Sequence, residues 1–170
     1  MKKALFLDRD GVINIEKDYL YRIEDFEFID GVFDACRYFQ DQGYIIIVIT
    51  NQSGISRGKY TEDDFAHLTS WMLEKFKCED IYISHVYHCP HHPDFSGACE
   101  CRKPNPGMIQ QAAKEHNIDL SKSILVGDKN SDIQAGLNAG IGQNYLISTG
   151  HKIDKNLYDV KILNNLRELN

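Results

Sequence analysis

The chain has no long hydrophobic run: across its 170 residues no apolar stretch approaches the ~20 residues of a bilayer-spanning helix, which excludes a span of that kind. A leader-like start is also missing. Met1-Lys2-Lys3 is basic, but the apolar stretch from Ala4 to Leu7 is too short for a signal-peptide core and Asp8 ends it, so a cytoplasmic protein is expected. Positive charge is in the minority, with 19 Lys and Arg against 25 Asp and Glu and a net charge of −6. That balance argues against broad capture of nucleic acid or an anionic membrane surface, and it makes any phosphate site a local one. Repeats, linkers and heptads are lacking as well, so one domain over 1–170 and a monomer are expected. The five cysteines are an odd number for a disulfide framework. Three of them crowd between Cys89 and Cys101, which favours metal ligation in a reducing compartment.

What is present reads as strands alternating with helices. Lys3 to Asp8 is a short apolar run ending in acid, the form of a strand buried on both faces of a parallel sheet. Gly31 to Gln42 carries Val32, Phe33, Cys36 and Phe39 at helical spacing, Gly43 stops it, and Tyr44 to Thr50 reads as a second buried strand. Thr61 and Asp64 form a helix-start box before an amphipathic segment with Phe65, Leu68, Trp71, Met72 and Phe76 on one side. A third strand is expected over Ile81 to Tyr87, then a helix from Pro106 to about His116. Ser123 to Gly127 makes a fourth strand, Ile133 to Ala139 a helix ended at Gly140, and Asn144 to Ile147 a fifth strand. The tail after Gly150 adds a small strand or helix. The expected class is α/β: a single Rossmann-like, doubly wound, mostly parallel sheet with helices on both faces and ligands at the strand carboxyl ends.

Polar residues punctuate those ends. Asp8 and Asp10 stand two apart where the first strand opens into a loop, and Gly11 permits an unusual turn. Asp128 and Asp132 repeat the arrangement after the fourth strand, and carboxylates gathered around one crevice suit Mg²⁺. Thr50 and Asn51 add a hydroxyl and an amide, while Lys103 and Lys129 add positive charge. Phosphoryl transfer needs this combination, since positioning and cationic groups near the anionic oxygens do most of the work. A second cluster, Cys89-Pro90-His91-His92 followed by Cys99-Glu100-Cys101, offers three thiolates and a choice of imidazoles for tetrahedral zinc in a loop without regular structure, at about 88–104. Cys36 and Cys78 read as packing residues. His67, His85, His88, His116 and His151 share no motif, and the aromatic stripe Phe65, Trp71 and Phe76 reads as a helix packing on the sheet.

Taken in order, Asp8-Arg9-Asp10-Gly11-Val12, Thr50-Asn51-Gln52-Ser53-Gly54, Arg102-Lys103-Pro104 and Gly127-Asp128-Lys129-x-x-Asp132 resemble the four motifs of the haloacid dehalogenase superfamily of aspartate-nucleophile phosphatases. The resemblance covers nearly the whole chain. It implies that Asp8 is the nucleophile and Asp10 the acid that protonates the leaving alkoxide and then activates water. By the same resemblance Thr50 and Lys103 hold phosphoryl oxygens, Asp8, the Asp10 main-chain carbonyl and Asp128 ligate Mg²⁺, Lys129 adds stabilisation, and Asp132 supports the site from behind. Asp10 is expected to have its pKa raised in the substrate complex by neighbouring negative charge.

The Cys-x-His and Cys-x-Cys pair resembles the zinc-bearing branch of these phosphatases, which implies Cys89, His91, Cys99 and Cys101 as ligands of a structural zinc that orients Arg102 and Lys103. The 39 residues from Gly11 to Ile49 hold only a loop, a helix and a strand, so no large cap domain is expected. Two families of that branch are similar here, the heptose bisphosphate phosphatases and the histidinol-phosphate phosphatases. Ser53 to Thr61 and Gly127-Asp128-Lys129 resemble the first, although the seven residues between His91 and Cys99 approach the second in loop length. The heptose resemblance implies Glu16, Lys17, Asp18 and Tyr19 along the sugar, Thr50, Asn51, Gln52 and Ser53 around the scissile phosphate, and Arg57 and Arg102 as further contacts. Its product would be a heptose 1-phosphate for surface polysaccharide. A different class is a zinc-stabilised nucleic-acid module or polynucleotide 3′-phosphatase, which the acidic balance opposes.

Overall fold

Residues 1–148 and 160–169 are described by a computed structural model. Six parallel strands form one sheet: β1 (Lys3–Leu7), β2 (Tyr44–Asn51), β3 (Ile83–Cys89), β4 (Ile124–Gly127), β5 (Gln143–Ile147) and β6 (Lys161–Leu163), in the order β3-β2-β1-β4-β5-β6. The expected α/β class is borne out. Strand order reverses at β1, whose two sides pair with β2 and β4. The two registers set Leu7 opposite both Val48 and Val126. The next residue, Asp8, therefore emerges between the carboxyl ends of β2 and β4, the crevice where open α/β sheets take ligands.

Alternation along β1 divides the core. Leu5 and Leu7 join Ile46 and Val48 on one face, covered by α1 (Val32–Asp41) and α2 (Glu62–Cys78), while Ala4 and Phe6 join Ile47, Ile49 and Leu125 on the other, covered by α4 (Gly107–His116) and α5 (Asn130–Ala139). In α1 the buried residues Val32, Ala35, Cys36 and Phe39 recur at helical spacing, and Phe33 packs partly buried beside them. The helix-start box of α2 is present in both directions: Asp64 N donates to Thr61 Oγ1 at 3.1 Å and Thr61 N to Asp64 Oδ2 at 2.9 Å. The aromatic stripe packs as expected. Trp71 stacks on Phe28 at 5.9 Å and meets Phe26 edge-on at 5.4 Å, and Phe76 meets both Phe28 and Phe33.

Several boundaries differ from the sequence expectation. β3 begins at Ile83, two residues late, because Ile81 N donates to the Phe76 carbonyl at 3.0 Å and Tyr82 N to Gln40 Oε1 at 2.8 Å instead of joining the β2 ladder, and it runs on to Cys89. Pro106 precedes α4 as its cap residue instead of lying in its first turn. The loop after β3 is not wholly irregular: Pro93–Ser96 forms a short helical turn, α3, with Pro93 at its start. Cys78 is exposed and does not pack. The tail supplies both expected forms, strand β6 and a 3-10 turn over Leu166–Leu169, while His151 and the stretch before residue 160 lie outside the described residues.

Candidate active site

The carboxyl ends of β1, β2 and β4 surround a cavity of about 230 Å³ lined by Asp8, Asp10, Asn51, Gln52, Lys103 and Asp132 among others. Gly11 makes the closure possible. Its φ is +88°, and a Cβ there would come within 2.1 Å of Asp128 Oδ2, so a side chain would push the first loop off the β4 end.

Three carboxylates, Asp8, Asp128 and Asp132, bring oxygens within 4.8 Å of one another. Asp132 is committed to the protein: Oδ2 accepts from the main-chain N–H of Asp128 and Lys129, each at 3.1 Å, and Oδ1 lies 2.5 Å from Lys103 Nζ. It thus caps α5 and anchors Lys103. Lys103 is buried and bridges the two loops, reaching Asp8 Oδ1 at 2.9 Å and the Ile49 carbonyl at 3.1 Å. Burial opposes its charge, but Asp132 and Asp8 outweigh that and hold the ammonium above its usual range. Burial, then Asp132, pushes Asp8 up to about 6, and burial, then Asp8 and Asp132, pushes Asp128 up to about 10. Carboxylates crowded so closely fit a hard divalent cation, and Asp8 and Asp128 are the pair that would hold it.

The expectation for Asp10 concerns the substrate complex; the protein's own groups act on it in the other direction. Burial alone would raise it, yet the Arg9 guanidinium and hydrogen bonds from Asn14, Arg9 and Gln52 bring it below its usual value. Arg9 Nη2 donates to Oδ1 at 3.0 Å and Oδ2 at 3.2 Å, Asn14 Nδ2 to Oδ1 at 3.0 Å, and Gln52 Nε2 to Oδ2 at 3.0 Å. These contacts favour the charged form of Asp10. Its side chain stands apart from the three-carboxylate cluster; the sequence expectation concerned its carbonyl.

Glu16, Lys17, Asp18, Tyr19, Ser53 and Lys129, each implied by the resemblance, also line the cavity. Lys17 does so with its ammonium engaged by the Asp25 carbonyl and Glu27 Oε1, each at 2.7 Å. Burial and the Asp10 charge push Glu16 up to about 7. Three expected contacts fall outside the lining. Thr50 is buried behind Gln52, whose Nε2 donates to its hydroxyl at 2.8 Å. Arg57 lies over the Phe95 ring at 4.8 Å and near Tyr19 at 6.0 Å, and Arg102 donates to the His91 carbonyl at 3.2 Å. Asn51 has a second task besides lining the wall, since its amide exchanges hydrogen bonds with the Lys103 main chain at 3.1 and 3.2 Å. The sequence reading missed Tyr60 and Ser131 in the lining and Arg9 and Asn14 behind it. Arg9 carried a signal, as a charged residue between two motif carboxylates, and Tyr60 lay within the Ser53 to Thr61 stretch without being singled out.

The second cluster is partly assembled. Cys89, Cys99 and Cys101 bring their sulfurs within 4.8 Å of one another, with Cys99 Sγ 3.6 Å from each of the other two. This is three-quarters of a tetrahedral thiolate-rich donor set and fits zinc. His91 is not drawn in among the described residues: Ser96 Oγ, at the end of α3, lies 3.2 Å from its Nδ1 and accepts from His92 N at 3.1 Å. His92 Nδ1 accepts from Asp94 N. Arg102 N donates to Cys99 Sγ at 3.4 Å, so the thiol cluster and Lys103 belong to one stapled loop.

Comparison with known proteins agrees with this geometry. A family model described as HAD-hydrolase-like matches residues 100–169. The D-glycero-alpha-D-manno-heptose-1,7-bisphosphate 7-phosphatase of Campylobacter jejuni is 54% identical over 150 residues, 88% of this chain and 85% of its own. The D-glycero-beta-D-manno-heptose-1,7-bisphosphate 7-phosphatase of Escherichia coli K12 is 44% identical over 98% of this chain and 91% of its own. Among solved structures, D,D-heptose 1,7-bisphosphate phosphatase from B. bronchiseptica, complexed with magnesium and phosphate, superposes with a TM-score of 0.85 at 27% identity, covering 98% of this chain and 95% of that one. The chain is a phosphatase of the haloacid dehalogenase-like hydrolases and belongs there to the heptose-1,7-bisphosphate 7-phosphatase family.

Proposed function

We propose that the protein removes the 7-phosphate of D-glycero-D-manno-heptose 1,7-bisphosphate and leaves heptose 1-phosphate. The observation that carries this reading is the meeting of Asp8, Asp10 and Lys103 in one cavity of a chain 44–54% identical to relatives of that name. Asp8 attacks the phosphorus, forming an aspartyl-phosphate as the bond from phosphorus to O7 breaks, and Asp10 gives its proton to O7. Asp10 then takes a proton from the water that attacks the aspartyl-phosphate, releasing phosphate and restoring Asp8. A dianionic phosphate beside Asp10 raises its pKa again and so loads it with the proton that Arg9 disfavours in the open site.

Lys103, 2.9 Å from Asp8, supplies charge where phosphoryl oxygens gather, and Lys129 supplements it. Mg²⁺ held by Asp8, the Asp10 carbonyl and Asp128 would neutralise the charge shared by nucleophile and phosphate. Thr50, Asn51, Gln52 and Ser53 serve the scissile phosphate, while Glu16, Lys17, Asp18 and Tyr19 face the sugar; the lining supports all of these but Thr50, which acts from behind through Gln52. Arg57 and Arg102 are assigned to the phosphate that stays, although neither lines the cavity. Zinc on Cys89, Cys99 and Cys101, with His91 as fourth ligand, would stiffen the Lys103 loop without reacting. The same reading makes the protein a one-domain, cytoplasmic monomer, and no helix among the described residues is long and apolar enough to cross a membrane.

Phosphate release from heptose 1,7-bisphosphate, histidinol phosphate and a 3′-phosphorylated oligonucleotide, with and without Mg²⁺, tests the reading. Selective Mg²⁺-dependent turnover of the bisphosphate is expected. Preference for either other substrate overturns the substrate assignment.

A further inference from the structure

A hydrogen-bonded relay in the cavity wall joins the first two motifs to a residue outside all four, Tyr60. Gln52 Nε2 donates both to Asp10 Oδ2 at 3.0 Å and to Thr50 Oγ1 at 2.8 Å, and its Oε1 accepts from the Tyr60 hydroxyl. The main chain at Gln52 is itself fixed, since its N–H donates to the Cys89 carbonyl at 2.7 Å. A carboxamide can face a carboxylate in two ways, and only the NH₂ end is attractive. Tyr60 decides between them by occupying the carbonyl end. Its ring is held in place, stacked on Tyr21 at 5.5 Å and 14°, and only 6% exposed. Gly54 leaves the space: a Cβ there would lie 2.2 Å from Tyr60 Cε1.

We infer that Tyr60 is a positioning residue which, through Gln52, holds the Asp10 carboxyl in the orientation from which it serves the leaving oxygen. The inference rests on the reading of Asp10 as the acid. Without the hydroxyl, Gln52 Oε1 is left buried without this donor, and the amide, no longer held at that end, can swing its NH₂ group away from Asp10. Asp10 then loses one of its three donors and its fixed aim, while the phosphate contacts of Lys103 stay in place.

The test compares Tyr60→Phe, Gln52→Met and the double variant in single-turnover cleavage of the alkyl phosphate the parent prefers and of p-nitrophenyl phosphate, whose phenolate leaves without a proton. Tyr60→Phe is expected to slow alkyl phosphate cleavage about tenfold with KM within about twofold, and p-nitrophenyl phosphate several-fold less. The double variant should be no slower than Gln52→Met alone, because Tyr60 acts only through Gln52. Losses that multiply in the double variant, equal losses on both substrates, or a loss confined to KM each overturn the inference. Tyr60→Phe keeps the buried ring, so the two-substrate comparison decides the matter even if Gln52→Met does not fold. Asp10→Asn separates the two failures: full activity in that variant removes the acid assignment itself, whereas its inactivity beside equal Tyr60→Phe losses removes only the relay.

Discussion

Asp8 sits where burial and its neighbours act against its own charge, and that cost has measurable consequences. Replacing it by Asn removes the nucleophile while keeping shape and hydrogen-bonding capacity. Turnover should fall by roughly a thousandfold or more with the unfolding temperature held or raised, and ordinary steady-state activity would contradict the assignment. The carboxylates also predict a pH dependence of stability. Asp8 is raised from 3.8 to about 6 and Asp128 from 3.8 to about 10, so between those values the folded chain binds more protons than the unfolded one. Their contribution is fully present below about pH 4 and is lost as pH rises through each folded value. Asp10, held below its usual value, acts in the opposite sense and only in acid. A bound divalent cation offsets the repulsion, so Mg²⁺ should raise the unfolding temperature more at about pH 8 than at about pH 5. Equal shifts in a thermal titration at the two pH values would refute this. At this scale the paired carboxylates were legible because their spacing is local, and Lys103 through the resemblance of Arg102-Lys103-Pro104 to a phosphatase motif. Arg9's hold on Asp10 and Tyr60's hold on Gln52 were not, since side-chain direction decides them.

The loop from Cys89 to Lys103 works as an element although little of it is regular. Asn105 Nδ2 donates to the Cys99 carbonyl at 2.7 Å, Gly107 N to the Glu100 carbonyl at 3.0 Å, and Asn51 clasps the Lys103 main chain from the other side. Cys101→Ser should therefore lower the metal content, reduce the unfolding temperature by several degrees and slow turnover through a displaced Lys103. Elemental analysis beside steady-state kinetics checks this, and unchanged metal with unchanged rates would uncouple the two. The turn Pro93–Ser96 escaped the sequence reading because four residues are too few to show a helical period. Strand β3 was displaced for a related reason. As an edge strand it intersperses buried residues with half-buried ones, so its limits are set by pairing with β2 more than by a continuous apolar run.

At the scale of the whole molecule, two apolar layers hold the sheet ends in register, and the site inherits its rigidity from them. Met72 is fully buried in the layer under α1 and α2. Met72→Ala should cost about 2–5 kcal/mol, lowering the unfolding temperature by about 2–4 °C for each, while KM changes little because the residue does not line the cavity. A calorimetric scan with kinetics on the same preparation measures both, and a large rise in KM would show the core layer reaching the site. By itself the sequence determined the alternation of strand and helix, the three polar strand ends and the cysteine spacing. Hydrophobic period and residue chemistry are local properties that survive without knowledge of the fold. Only the tertiary structure decided which of those groups meet. The β1 registers bring Asp8 between β2 and β4, Lys103 bridges Asp8 and Asp132 across the crevice, Ser96 takes up His91, and Arg9 sets the charge of Asp10. These are short-range contacts between side chains whose directions follow from packing, and no spacing along a chain encodes a direction in space.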